Sequence, residues 1–190
     1  MRKKLFMVLL GCKPKGRHTE QHDIFFGIGE SLKDLIPEIN KFWPEAEGKI
    51  HIDAWREVTA VDNNKVTTCQ RDFDLDMRES QKSNKLFFIN LGGYKKDQFE
   101  EFHYKMLVVA KTVTEATEIA KDTWFFKSTG FDGAPSHVDD KYGIDVDDVS
   151  EVIDLLSETM KQDYKLVIND NVAVNPDKIY LGYLPFKEIV

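Results

Sequence analysis

"KLFMVLLG" at residues 4–11 returns as "KLFFINLG" at 85–92, and the agreement runs on without a gap. Glu20 falls on Glu101, His22 on His103, Ser31 on Thr112 and Trp43 on Trp124. A period of about 80 residues means duplicated subdomains, since solenoid units are shorter. Later, "HID" at 51–53 meets "HVD" at 137–139, and Val61-Asp62 meets Val146-Asp147, after an insertion that carries the turn-rich "STGFDGAPS". The expected division is a first repeat over 1–83 and a second over 84–190 with a C-terminal strand extension, "DMRESQKSN" being the connector.

Each copy reads as the same block. The runs Leu5 to Leu10 and Leu86 to Leu91 are short, apolar and closed by glycine, as buried strands are. A polar loop and a second apolar run follow, Ile24 to Ile28 or Met106 to Val109, and the natural pairing is an antiparallel hairpin. Ser31-x-x-Asp34 and Thr112-x-x-Glu115 then resemble capping boxes opening a helix, whose core face would include Trp43 in one copy and Trp124 in the other. Pro37 should kink or shorten the first helix. "GKIHIDAWREVTAV", "NKVTTC" and "YKLVI" alternate like strands, residues 146–160 allow a short helix, and "KIYLGYLPF" would add a last strand. The fold class expected is α+β: two diverged repeats of a hairpin, a helix and further strands, packed as a pseudo-twofold internal dimer that covers exposed sheet faces and edges.

Charge and composition narrow the partners. With Asp plus Glu at 33 against Lys plus Arg at 26, the surface is acidic, which argues against a nucleic-acid binder. Successive Phe87 and Phe88 face opposite sides of a strand and cannot both stack on bases. The apolar run behind the basic start is too short for a signal peptide, and no stretch is long enough to span a bilayer. Two cysteines, Cys12 and Cys69, without C-x-x-C spacing, suit a cytoplasmic chain of reduced thiols.

The segments "KLFMVLLGCKPKGRHTEQHDIFFGIGESL", "EGKIHIDAWREV", "KLFFINLGGYKKDQFEEFHYKMLVVAK" and "GAPSHVDDKYGIDVDDV" resemble the bacterial family called domain of unknown function 1543, in two tandem copies. The resemblance implies a small soluble bacterial protein with one or two copies of the domain. It implies no catalytic residue.

The densest chemistry lies in "GRHTEQHD". On a strand His18, Glu20 and His22 would share one face, a two-histidine, one-carboxylate set suited to a divalent metal. The second copy has Phe99 in place of His18, so that trio could exist only once. Gly11 and Gly16 have P-loop spacing, but Arg17-His18 replaces Lys-Ser/Thr, and what remains is a cationic loop, Lys13, Lys15 and Arg17, able to meet a phosphate or carboxylate; its counterpart keeps Lys95 and Lys96. Four pairs persist in both copies: Glu20 with His22, His51 with Asp53, Glu101 with His103 and His137 with Asp139. Were the "HID" strand beside the hairpin, acid and imidazole would assemble either for proton transfer or for mutual satisfaction in the fold.

The expected function is the binding of a small anionic or polar ligand through Lys13, Lys15, Arg17, Glu20, His22, His51 and Asp53. A metal-assisted hydrolase using His18, Glu20 and His22 and a non-catalytic association subunit, including a homo-oligomer, are the alternatives. A divalent metal is the one cofactor these residue types suggest.

Overall fold

The computed structural model describes residues 3–72, 83–130, 137–138, 149–170 and 172–189. The connector over 76–82, most of "STGFDGAPS" and Asp139 lie outside the described residues. The protein is a mixed α+β chain, mostly strands with few helices, arranged in several sheets. Among the described residues no helix is long and apolar enough to cross a membrane.

The chain divides into two compact units, the first made of residues 1–76 and 155–190, the second of 77–154. The tail expected with the second repeat thus belongs with the first. Its strands explain why: both pair with strands from the chain's first 70 residues.

In the first unit, β1 (Lys4–Cys12) and β2 (Gln21–Gly29) form the expected antiparallel hairpin, with Gly11 opposite His22. Phe6, Val8, Leu10 and Cys12 alternate onto one face of β1 and are fully buried, the period-two signature of a strand with one core face. A 3-10 turn, Leu32–Leu35, leads into α1 (Ile36–Phe42). Pro37 sits in the first turn of α1, where its missing N–H is harmless, so it shortens the helix and does not kink it. Asp34 receives the backbone N–H groups of Glu30 and Ser31 at 2.9 and 3.1 Å, closing the turn. Leu32, Leu35 and Ile39 seal the core against β1, and Trp43 packs at its margin.

Next, β3 (His51–Glu57) pairs with the other edge of β1, and β11 (Tyr180–Pro185) pairs with β3, giving the order β11-β3-β1-β2. A second sheet has the order β10-β5-β4, from β4 (Ala60–Val61), β5 (Asn64–Gln70) and β10 (Tyr164–Asn169). Between Ala173 and Tyr180 the tail has no regular structure. Asp177 fastens it, accepting from the Thr59 N–H and hydroxyl and from the Ala60 N–H at 2.6–3.2 Å.

The second unit pairs β6 (Lys85–Tyr94) with β7 (Glu101–Ala110), again antiparallel, with Gly92 opposite His103. Phe87, Ile89 and Leu91 form the core face, at positions that repeat Phe6, Val8 and Leu10. Thr112 caps α2 (Val113–Lys121), and Ala116 and Ala120 turn inward with Phe125 of α3 (Trp124–Ser128). The expected core role for Trp124 is wrong. It opens α3 and is 73% exposed, because Phe125, one residue on, takes the inward position.

Two short strands, β8 (His137–Val138) and β9 (Val149–Glu151), pair with the remaining edge of β6. The helix expected within 146–160 resolves into β9, a 3-10 turn at Val152–Leu155, and α4 (Glu158–Asp163), which belongs with the first unit.

Candidate functional site

Gly11 is the centre of the site. In one row across three strands, His22 of β2 and His51 of β3 flank it. With no side chain of its own it leaves room above the sheet: a Cβ there would lie 2.3 Å from Asp53 Oδ2 and 2.4 Å from His51 Nε2. Glycine is needed here for close approach.

Asp53 reaches this space through a bulge. Leu9 pairs with Ala54 but Leu10 with Ile52, so Asp53 is an extra residue in β3. The insertion keeps Trp55 against the core while His51 and Asp53 share the outer face; strict alternation would have put Trp55 beside them. Bulges commonly re-aim a side chain in this way.

Above Gly11 two imidazoles and two carboxylates alternate in a ring. His22 Nε2 stands 3.2 Å from Asp53 Oδ2 and 3.7 Å from Glu20 Oε2. His51 Nε2 stands 3.1 Å from Glu20 Oε1 and 3.3 Å from Asp53 Oδ1. His51 is nearly buried, whereas His22 and Glu20 are almost half exposed, so the ring opens to solvent on their side. Asp53 Oδ2 is buried, with the His22 imidazole beside it as its ion-pair neighbour.

The rest of the expected site falls into place around this ring, or outside it. The loop 13–20 leaves β1 just beyond Gly11 and ends on Glu20, with a turn at Gly16 (φ 81°) and an Arg17 N–H to Pro14 carbonyl bond. Lys13, Lys15 and Arg17 are exposed on it. His18 is exposed as well and does not join the ring. β2 begins only at Gln21, so the strand face on which His18, Glu20 and His22 were expected to meet as a metal trio is not formed. As placed, no three His, Cys, Asp or Glu side chains among the described residues stand ready to hold a metal ion. Cys12 lies beneath the site on the core face. Burial pushes its thiol up, with Glu20 adding to the shift and Lys49 opposing it, so it is an inert core residue.

In the second unit the backbone register repeats the row, with His103 and His137 on either side of Gly92. Glu101 opens β7 opposite Tyr94, and Lys95 lies over the Phe102 ring at 4.5 Å. Lys96 is exposed in the same loop, and Asp139 lies outside the described residues.

Sequence reasoning missed Tyr183. Its ring lies 4.5 Å from that of His51, tilted by 41°, and covers one side of the imidazole. The nearby Tyr180 stacks on Trp55 at 4.0 Å with Lys178 over its ring, which fixes β11 to β3. No signal in "KIYLGYLPF" links it to a strand some 130 residues earlier; only its Gly182 hinted at an irregular strand.

No curated protein matches the chain. Among solved structures it is similar to the protein Il1583 from Idiomarina loihiensis, with 20% sequence identity over 97% of each chain and a TM-score of 0.58, a likeness of fold. The family model described as Domain of Unknown Function (DUF1543) matches one copy, over residues 17–68, a span that holds Glu20, His22, His51 and Asp53 together.

Proposed function

We propose that the first unit binds a small polar ligand on the open side of the Glu20, His22, His51 and Asp53 ring, with an acidic group of that ligand held by Lys13, Lys15 and Arg17. The observation that carries this reading is the opening of the ring to solvent, where Glu20 and His22 stand almost half exposed beside the nearly buried His51. A cluster built only to hold the sheet would be shut from solvent on every side. The loop supports the reading too, for its three cations are spent on no described carboxylate and adjoin the ring through Glu20.

We further read the two units as diverged copies of one hairpin, helix and strand block. The shared register about Gly11 and Gly92 supports this. Any activity special to the first copy then rests on Arg17, on the neighbouring loop cations, and on what β11 adds.

Thermal-shift measurement against phosphorylated and carboxylated metabolites tests the proposal. A rise in midpoint with at least one compound, lost in His22→Ala and weakened in Arg17→Ala, is expected. A flat response at millimolar ligand would remove it. Metal analysis belongs beside it. One equivalent of zinc in protein purified without chelator, lost in His22→Ala, would replace the ligand reading with the metal-assisted hydrolase.

A further inference from the structure

β7 stands at the outer edge of its sheet, and among the described residues no strand pairs with its far side. Its two ends differ. Leu107, Val108 and Ala110 are buried, whereas His103 and Tyr104 are exposed and Glu101, Phe102 and Lys105 half-buried. An open edge is a template for another strand, and proteins commonly guard it with a charge such as lysine. Lys105 holds that position, and within β7 only Glu101 can answer its charge. One antiparallel register brings the two together. Pairing His103 with its own counterpart in a second copy sets Glu101 opposite Lys105, and Phe102 opposite Tyr104, on both sides of a twofold axis. Because side chains alternate, the acid and base then lie on one face of the sheet and the rings on the other. The segment "EFHYK" is thus complementary to itself read backwards.

The first unit supplies a control. The same positions of its hairpin read "EQHDI", where Ile24 would stand opposite Glu20 and Asp23 opposite Gln21. Self-complementarity belongs to the second copy alone. So does a large exposed ring at the end of the segment: Phe99, in the bend just before β7, is fully in solvent, at the position His18 holds in the first copy. We infer that two copies of this chain associate through β7, antiparallel about a twofold axis at His103. Glu101 then meets Lys105 of the partner subunit, and Phe102 meets Tyr104 of the partner subunit, so that the sheet of the second unit runs on from one copy into the other. The segment is short beside the roughly 20–30 residues a side of a stable interface, so the dimer forms and parts with concentration. This association does not depend on the ligand-binding reading, for it uses the other unit.

Sedimentation of the full chain over a concentration series tests it. The mass should climb toward twice that of one chain. Glu101→Lys and Lys105→Glu each set like charges face to face at both pairs, so each variant alone should need a several-fold higher concentration to associate. Mixed in equal amounts, the two should associate again, since each supplies the charge that the other lacks. A variant that had merely misfolded could not be rescued by mixing, so the restored dimer reports the register itself. Lys33→Glu, the same charge change on an exposed residue of the first unit, should leave the wild-type association unaltered. A single-chain mass throughout the series overturns the inference. So does a dimer indifferent to both substitutions at β7, or one that mixing the two variants fails to restore.

Discussion

Along the outer edge of β1 the first unit lays one strand of seven residues, whereas among the described residues the same edge of β6 carries two strands, β8 and β9, of two and three. The seven-residue strand carries the bulge that turns Asp53 outward and offers a free edge to β11. Among the described residues the second unit has no strand on the far side of β8 and β9. In both units the hairpin and its edge strand together set a histidine on each side of a glycine, and the edge strand carries what distinguishes them.

The comparison can be broken most forcefully in the cores. Phe6 and Phe87 occupy equivalent, fully buried positions, so Phe6→Ala and Phe87→Ala should each cost about 3–5 kcal/mol. Calorimetry should show each variant moving a different transition. One transition, displaced equally by either change, would mean the units unfold together. Next in size is the tryptophan pair. Trp43→Ala should cost about 1–3 kcal/mol, since the ring packs on the core. Trp124→Ala should stay within about 0.5 kcal/mol in a denaturant titration, its ring being mostly in solvent.

Smaller effects sharpen the comparison at the sites. His22→Ala should destabilise by about 1 kcal/mol, a value reduced by the exposure of the ring. His18→Ala, outside the cluster, should leave the unfolding midpoint unchanged. Gly11→Ala must displace the ends of His51 and Asp53, which yields shifted imidazole signals more than lost stability; the parallel change Gly92→Ala should move the His103 signal if the second unit builds the same crossing. The smallest effect is acid sensitivity. The Glu30 N–H, with that of Ser31, holds the Asp34 carboxyl below its usual range. A lowered folded-state value means the stabilisation is whole above the ordinary carboxylate range and is lost as pH falls through the lowered one. Asp34→Asn should therefore narrow the stability difference between neutral and acid solution.

The hairpins could be read from short apolar runs closed by glycine, and the meeting of Glu20 and His22 with His51 and Asp53 was conditional on one fact, that the "HID" strand lies beside the hairpin. It lies beyond β1, not against β2, and only the bare backbone of Gly11 lets the groups meet across it. Other features were out of reach for physical reasons. The Asp53 bulge is a register defect, which no periodicity announces. Trp124 looked interior because its alignment with Trp43 ignored Phe125, whose inward position satisfies α3. Tyr183 depends on a pairing between strands far apart in the chain, and long-range partners leave no local mark.

The fastening of the tail by Asp177 has a consequence for the order of assembly. Residues 77–154 form a contiguous unit set inside a discontinuous one, so during synthesis they can complete their own sheet while β3 still has a bare edge. Making the residues between β3 and the end of β11 occupies a ribosome for on the order of ten seconds. Through that interval the bare edge of β3 is a template for pairing with a neighbouring nascent chain. Three hydrogen-bond donors at Thr59 and Ala60, on the turn just past β3, await the Asp177 carboxylate, which precedes β11 by three residues. The carboxylate acts as a docking pin: it brings β11 to the β3 edge in the correct register as soon as both have been made, and so shortens the time in which a wrong partner can arrive first.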